Sequence, residues 1–104
     1  MVQNGLTADI VSEAVVVWTG RGKQPWPDMN DERIVERFGA ETALDLIPTV
    51  KRLADEFYES DAVHRIGDLS EAADDAARRF RRLHPELSDE AISALRWCYS
   101  YDWK

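Results

Sequence analysis

The sequence predicts an all-α fold, a compact bundle of four to five short helices built as one domain over residues 1–104. Three observations predict it. Apolar residues recur at three- and four-residue spacing in five segments. Most of these segments open on a capping residue or on acids, and several close on glycine or proline. The chain is 44% hydrophobic and 32% charged, apolar enough to build a core and too apolar for a disordered chain.

The first segment covers residues 7–19. Thr7 is placed to cap it, Asp9 sits where the helix dipole favours an acid, and Ile10, Val11, Ala14, Val15 and Trp18 share one face. Gly20 stops it, and residues 20–27, rich in glycine and proline, read as a loop. Val15, Val16 and Val17 are β-branched and would also suit a strand.

The second segment is capped by Asn30, with Asp31 and Glu32 in its first turn. It carries Ile34, Val35 and Phe38 as its stripe, and Gly39 is its expected left-handed stop. The third, over residues 41–60, keeps Ala43, Leu46, Ile47, Val50, Leu53, Ala54 and Phe57 in one phase across Pro48. A proline there removes one backbone bond, so the segment is either one kinked helix or two pieces facing one core.

The fourth opens at Asp68 with Glu71 three residues on, a capping-box spacing. Leu69, Ala72, Ala73, Ala76, Ala77, Phe80 and Leu83 face inward, and the alanines admit a neighbouring helix closely. Pro85 ends it near His84, whose ring is expected to serve the last carbonyls. Asp74 with Arg78, and Asp75 with Arg79, are expected as pairs along the helix surface.

The fifth is capped by Ser88, with Asp89 and Glu90 behind it and Ala91, Ile92, Leu95, Cys98 and Tyr99 on one face. Trp97, Tyr99, Tyr101 and Trp103 alternate with polar residues at the strand period. The cap and the stripe favour helix to about residue 101. The alternative is an α+β fold with a small strand pair from residues 15–17 and 97–103.

Acids outnumber Lys and Arg by 20 to 13, for a formal charge of −7. Such a surface repels phosphate backbones, which disfavours a nucleic-acid partner, and attracts a basic one. Cys98 is the single cysteine, so no intramolecular disulfide forms and a reducing compartment fits. Asp9 and Glu13 stand where a signal peptide would need a basic start, and the longest apolar run, residues 14–18, is too short to span a membrane. The expectation is a cytoplasmic protein without a membrane partner.

No catalytic constellation emerges, and the protein is read as a non-enzyme with no cofactor and no metal. Asp61 and His64 with Glu59 nearby lack the further His or Cys that would make a metal spacing specific. Cys98, on an apolar stripe at a helix end, reads as a small buried hydrophobe.

Three features invite partners. The acids Asp55, Glu56, Glu59 and Asp61 cluster at the end of the third segment and could steer a basic protein. Trp97, Tyr99, Tyr101 and Trp103 are interface-type aromatics that one helix face cannot bury together, and Trp26 flanks the 20–27 loop as a further contact residue. Arg21, Gly22 and Lys23 form a glycine-rich basic loop, a weak ligand-binding signal without the full phosphate-loop spacing. The basic run from Arg78 to Arg82 is read chiefly as a cationic helix end balancing its dipole.

The expected function is therefore that of a small acidic protein-binding domain that neutralises or regulates a basic partner. Immunity proteins and antitoxins are often of this physical type. The alternatives are a homo-oligomeric scaffold, a homodimer included, and a small-ligand or nucleotide-binding protein using the 20–27 loop.

Overall fold

Thr7 Oγ1 accepts the Ile10 amide at 3.2 Å, and that bond opens the first helix of the computed structural model, which describes residues 7–102. The elements are α1 (Ala8–Thr19), α2 (Asp31–Phe38), α3 (Ala40–Tyr58), the single turn α4 (Ala62–Arg65), α5 (Leu69–Leu83) and α6 (Asp89–Asp102). Among the described residues there is no strand, and the all-α expectation stands.

The caps are local chemistry, and they form where the sequence places them. Asn30 Oδ1 accepts the Glu32 amide at 2.9 Å, Asp68 Oδ1 the Glu71 amide at 3.1 Å, and Ser88 Oγ the Ala91 amide at 3.1 Å. Each satisfies a backbone donor that the first helical turn leaves unpaired. Gly20 ends α1 in the left-handed region at φ 80.

The strand pair is corrected. Val15–Val17 lie inside α1 and residues 97–102 inside α6, and the two helices pack against one another. A strand would turn alternate residues of 97–102 to opposite sides, whereas Leu95, Cys98 and Tyr99 are all fully buried, at helical spacing. Pro48 lies within α3, which runs unbroken as one helix. The carbonyl left without a donor belongs to Leu44, which is 76% exposed, so the lost bond falls on the outer side.

Gly39 has φ 92 but ψ 154, so it is a sharp extended corner rather than the left-handed stop. Its amide donates to Val35 O at 2.8 Å while its carbonyl accepts from Ala43 at 3.0 Å, so one residue closes α2 and opens α3. Val35 and Leu83, expected inside, are 38% and 53% exposed, because each lies at the margin of its helix stripe.

The core gathers Val15 and Trp18 of α1, Ile34 of α2, Leu46, Val50 and Phe57 of α3, Phe80 of α5, and Leu95 and Tyr99 of α6. Phe57 is its centre, 5.1 Å from the Phe80 ring and 5.6 Å from the Tyr99 ring. α5 lies along α6, with Ala72, Ala73 and Ala76 of one and Ala91 and Ala94 of the other all buried. Two buried hydroxyls stitch the helices. Ser12 Oγ of α1 accepts the Ser88 amide at 2.9 Å, and Tyr99 OH donates to Ser60 O at 3.3 Å. Among the described residues no helix is long and apolar enough to cross a membrane.

Candidate functional site

The structure brings Asp55 and Trp97 beside the 20–30 loop that carries Arg21 and Lys23, whereas Glu56 and Asp61 take partners elsewhere. The loop leaves α1 at Gly20 and folds back along its end, with Asp28 N donating to Thr19 O and Asn30 N to Trp18 O, each at 3.1 Å. Arg33 of α2 fixes this path. Its Nη1 donates to Trp18 O at 3.3 Å and to Asp28 O, and its Nη2 to Gln24 Oε1 at 2.6 Å and Asp28 Oδ2 at 3.1 Å. A planar guanidinium is suited to several fixed acceptors at once. Sequence reasoning missed Arg33, because its role depends on where the loop returns.

On one side of the loop lies a shallow groove of about 340 Å³ between α1, α3 and the end of α6. Trp18, Met29, Ala54 and Tyr58 give it an apolar floor, and Asp55 and Asp102 stand at its edge with Lys51. Polar bonds hold the floor. Trp18 Nε1 donates to Asp31 Oδ1 at 3.0 Å, and Lys51 Nζ reaches Asp31 Oδ2 at 3.0 Å. The Trp18 bond first, then Lys51, hold the Asp31 carboxyl below its usual range. Tyr58 OH donates to Asp102, and burial followed by that carboxylate pushes the phenol well above its ordinary value.

The four predicted acids have different surroundings. Asp55 and Glu59 are exposed. Glu56 Oε1 meets His84 Nε2 at 2.6 Å. Asp61 accepts from Arg65 Nε at 2.7 Å, and this bond holds its carboxyl below the usual range. Of the aromatics, Trp26 is 54% and Tyr101 43% exposed, Trp97 is half-buried, and Trp103 lies outside the described residues. Among the described residues at the end of α6, Tyr99 is turned fully inward and Tyr101 outward.

Arg21, Gly22 and Lys23 project from the first turn of the loop and are exposed. Arg21 lies over the Trp97 ring, 5.7 Å from its centroid, so the basic loop and the last helix meet. Lys23, Arg33 and Arg37 join Arg21 in lining a cleft of about 460 Å³ on the other side of α1.

Other expected chemistry is reassigned. His84 does not serve the α5 carbonyls with its ring. Nε2 turns to Glu56 and Nδ1 to Glu86 at 3.1 Å, because these carboxylates offer stronger partners than a carbonyl. Asp74 accepts from Arg96 of α6 at 2.7 Å rather than pairing with Arg78, and Arg79 donates to Glu56 O rather than to Asp75. Asp75 instead holds Arg65 at 3.0 Å, and Arg78 at 3.8 Å. Apart from the longer Asp75–Arg78 pair, these charges join neighbouring helices where the one-helix rule foresaw pairs along α5.

Cys98 is buried, and burial, then the Asp102 carboxylate, push its thiol up to about 12. A thiol held protonated is a poor nucleophile. Among the described residues no group of three or more His, Cys, Asp or Glu side chains could hold a metal ion.

No protein-family model, no curated protein and no solved structure matches the chain.

Proposed function

We propose that this protein is a protein-binding domain that takes a basic partner on the groove between α1, α3 and α6. One observation carries the reading. An apolar floor of Trp18, Met29, Ala54 and Tyr58 is edged by Asp55 and Asp102, with the cation of Lys51 at the same edge paired to Asp31, on a chain of net charge −7. Apolar contact with a carboxylate rim suits the stem and head of a partner's lysine or arginine, whose methylenes lie on the floor while the cation meets the rim. Trp26 and Met29, exposed on the adjoining loop, and Glu59 and Tyr101, exposed near the ends of α3 and α6, extend the apolar and acidic contact. Binding of this kind neutralises or regulates the partner by covering its basic surface, as immunity proteins and antitoxins do.

The test is capture from native lysate on immobilised protein, read by mass spectrometry, with the Asp55→Lys, Glu59→Lys double variant and the Arg78→Glu, Arg82→Glu double variant beside the wild type. The expected result is a basic protein held by the wild type and by the arginine variant, lost with the lysine variant and released by salt. Equal retention by all three discards the groove as the binding surface.

A further inference from the structure

We propose that the cleft between α1, the 20–30 loop and α2 is an anion site for a small phosphorylated molecule, distinct from the acidic groove. The chain has 13 Lys and Arg against 20 acids, yet Arg21, Lys23, Arg33 and Arg37 line this one cleft of about 460 Å³ with Glu36 as its carboxylate. A volume in the range of roughly 300–1,000 Å³ suits a small molecule rather than a folded partner.

The four cations are not equivalent. Arg33 spends its terminal nitrogens on Trp18 O, Asp28 and Gln24, so it contributes a fixed positive charge rather than free donors. Arg37 is held by Glu13 of α1 at an exposed pair, which a bound anion can share. Arg21 rests on the Trp97 ring. Lys23 extends from the turn that Gly22 makes at φ 86, where a Cβ would meet nothing within 4 Å and the backbone lies open to approach.

Glu36 and the pairs Arg33–Asp28 and Arg37–Glu13 offset three of the four charges, so a bound anion takes its donors chiefly from Arg21 and Lys23 and shares Arg37 with Glu13. A phosphoryl group offers three acceptor oxygens and close to two negative charges, which match donors arriving from Arg21, Lys23 and Arg37. Val16 and Val17 supply an apolar wall for the carbon skeleton. On the far side of Arg21 a second hollow of about 420 Å³ is lined by Pro25, Trp97, Gln24 and Glu90, a surface for an uncharged, flat remainder of the same molecule that can donate to the Glu90 carboxylate.

The experiment is an NMR titration of the intact chain with pyrophosphate at low salt, with citrate as the carboxylate control. Saturable shifts are expected at residues 16–24 and 33–37 and at the Trp97 indole, with citrate weaker. Lys23→Gln and Arg37→Gln should each weaken binding about tenfold, the loss of one charge-assisted contact. Arg82→Gln, which removes the same charge elsewhere, should leave it unchanged. Shifts centred on residues 78–82, equal weakening by Arg82→Gln, citrate binding as tightly as pyrophosphate, or no saturation would each overturn the proposal. Lys23 is an exposed loop residue, so its variant decides the matter even if Arg37→Gln fails to fold.

Discussion

His84 Nε2 lies 2.6 Å from Glu56 Oε1, which fastens the end of α5 to the last turns of α3. The ring stands 4.6 Å from Phe80, and Nδ1 meets Glu86 on its other side. Burial pulls the His84 pKa down, but the bonds to Glu56 and then Glu86 outweigh it and leave the group above its ordinary 6.5. A raised pKa in the folded state means that folding binds the proton more tightly. That contribution is complete below the ordinary value and is lost as pH rises through the raised one. Urea unfolding between about pH 5.5 and about pH 8.5 should show wild-type stability falling with pH, beyond any change in His84→Gln. A wild type that grows more stable relative to the variant across that window would refute the assignment.

Arg33 is the keystone of the 20–30 loop, through bonds to Trp18 O, Asp28 and Gln24. Arg33→Lys keeps the charge and cannot reproduce the fork. It should cost roughly 2 kcal/mol in chemical denaturation and speed amide exchange of Asp28 and Asn30. Protection unchanged at those two amides would show that the loop holds its path without the guanidinium.

Phe57 is fully buried between Phe80 and Tyr99. Phe57→Ala should cost about 3–5 kcal/mol, a large part of a small domain's stability. Leu44→Ala, at a residue 76% exposed, should change stability by no more than about 0.5 kcal/mol. The contrast between two apolar truncations in one helix is the check, measured by urea midpoint.

Cys98 is 0% exposed and its thiol is pushed up to about 12. Alkylation of the native protein at neutral pH should therefore be slow and should accelerate sharply in denaturant. Native labelling as fast as that of the unfolded chain would mean that the end of α6 opens readily.

The helices were legible in the sequence because their causes are local. Thr7, Asn30, Asp68 and Ser88 bond amides two or three residues ahead, and the apolar stripes need no distant partner to be read. The end of α6 was ambiguous because its alternating aromatics obey both periods, and packing on α1 and α5 decides between them. The candidate sites were legible only in fragments. Arg21 and Lys23 stood out in their loop, but Arg33 and Arg37 come from the following helix, where their four-residue spacing alone names no ligand. His84 and Glu56 are 28 positions apart, and Asp74 meets Arg96 across 22. No rule of local spacing reaches that far. Asp74 pairs with Arg96 of α6, and Asp75 sits closer to Arg65 of α4 than to Arg78 of its own helix, because the fold had already brought those guanidinium groups within reach.

Gly39 is the whole of the connection between α2 and α3. With no further residues at the joint, one amide and one carbonyl of the same residue fasten both helix ends, to Val35 O and from Ala43 N. A single residue inserted there would separate those two bonds and displace the start of α3 by up to about 3.5 Å. Leu46, Val50 and Phe57 would then lose their register against Ile34 and the core. Length at this corner is therefore under tighter constraint than side-chain identity along the exposed flank of either helix, and a chain one residue longer at this point would have to find a different set of neighbours.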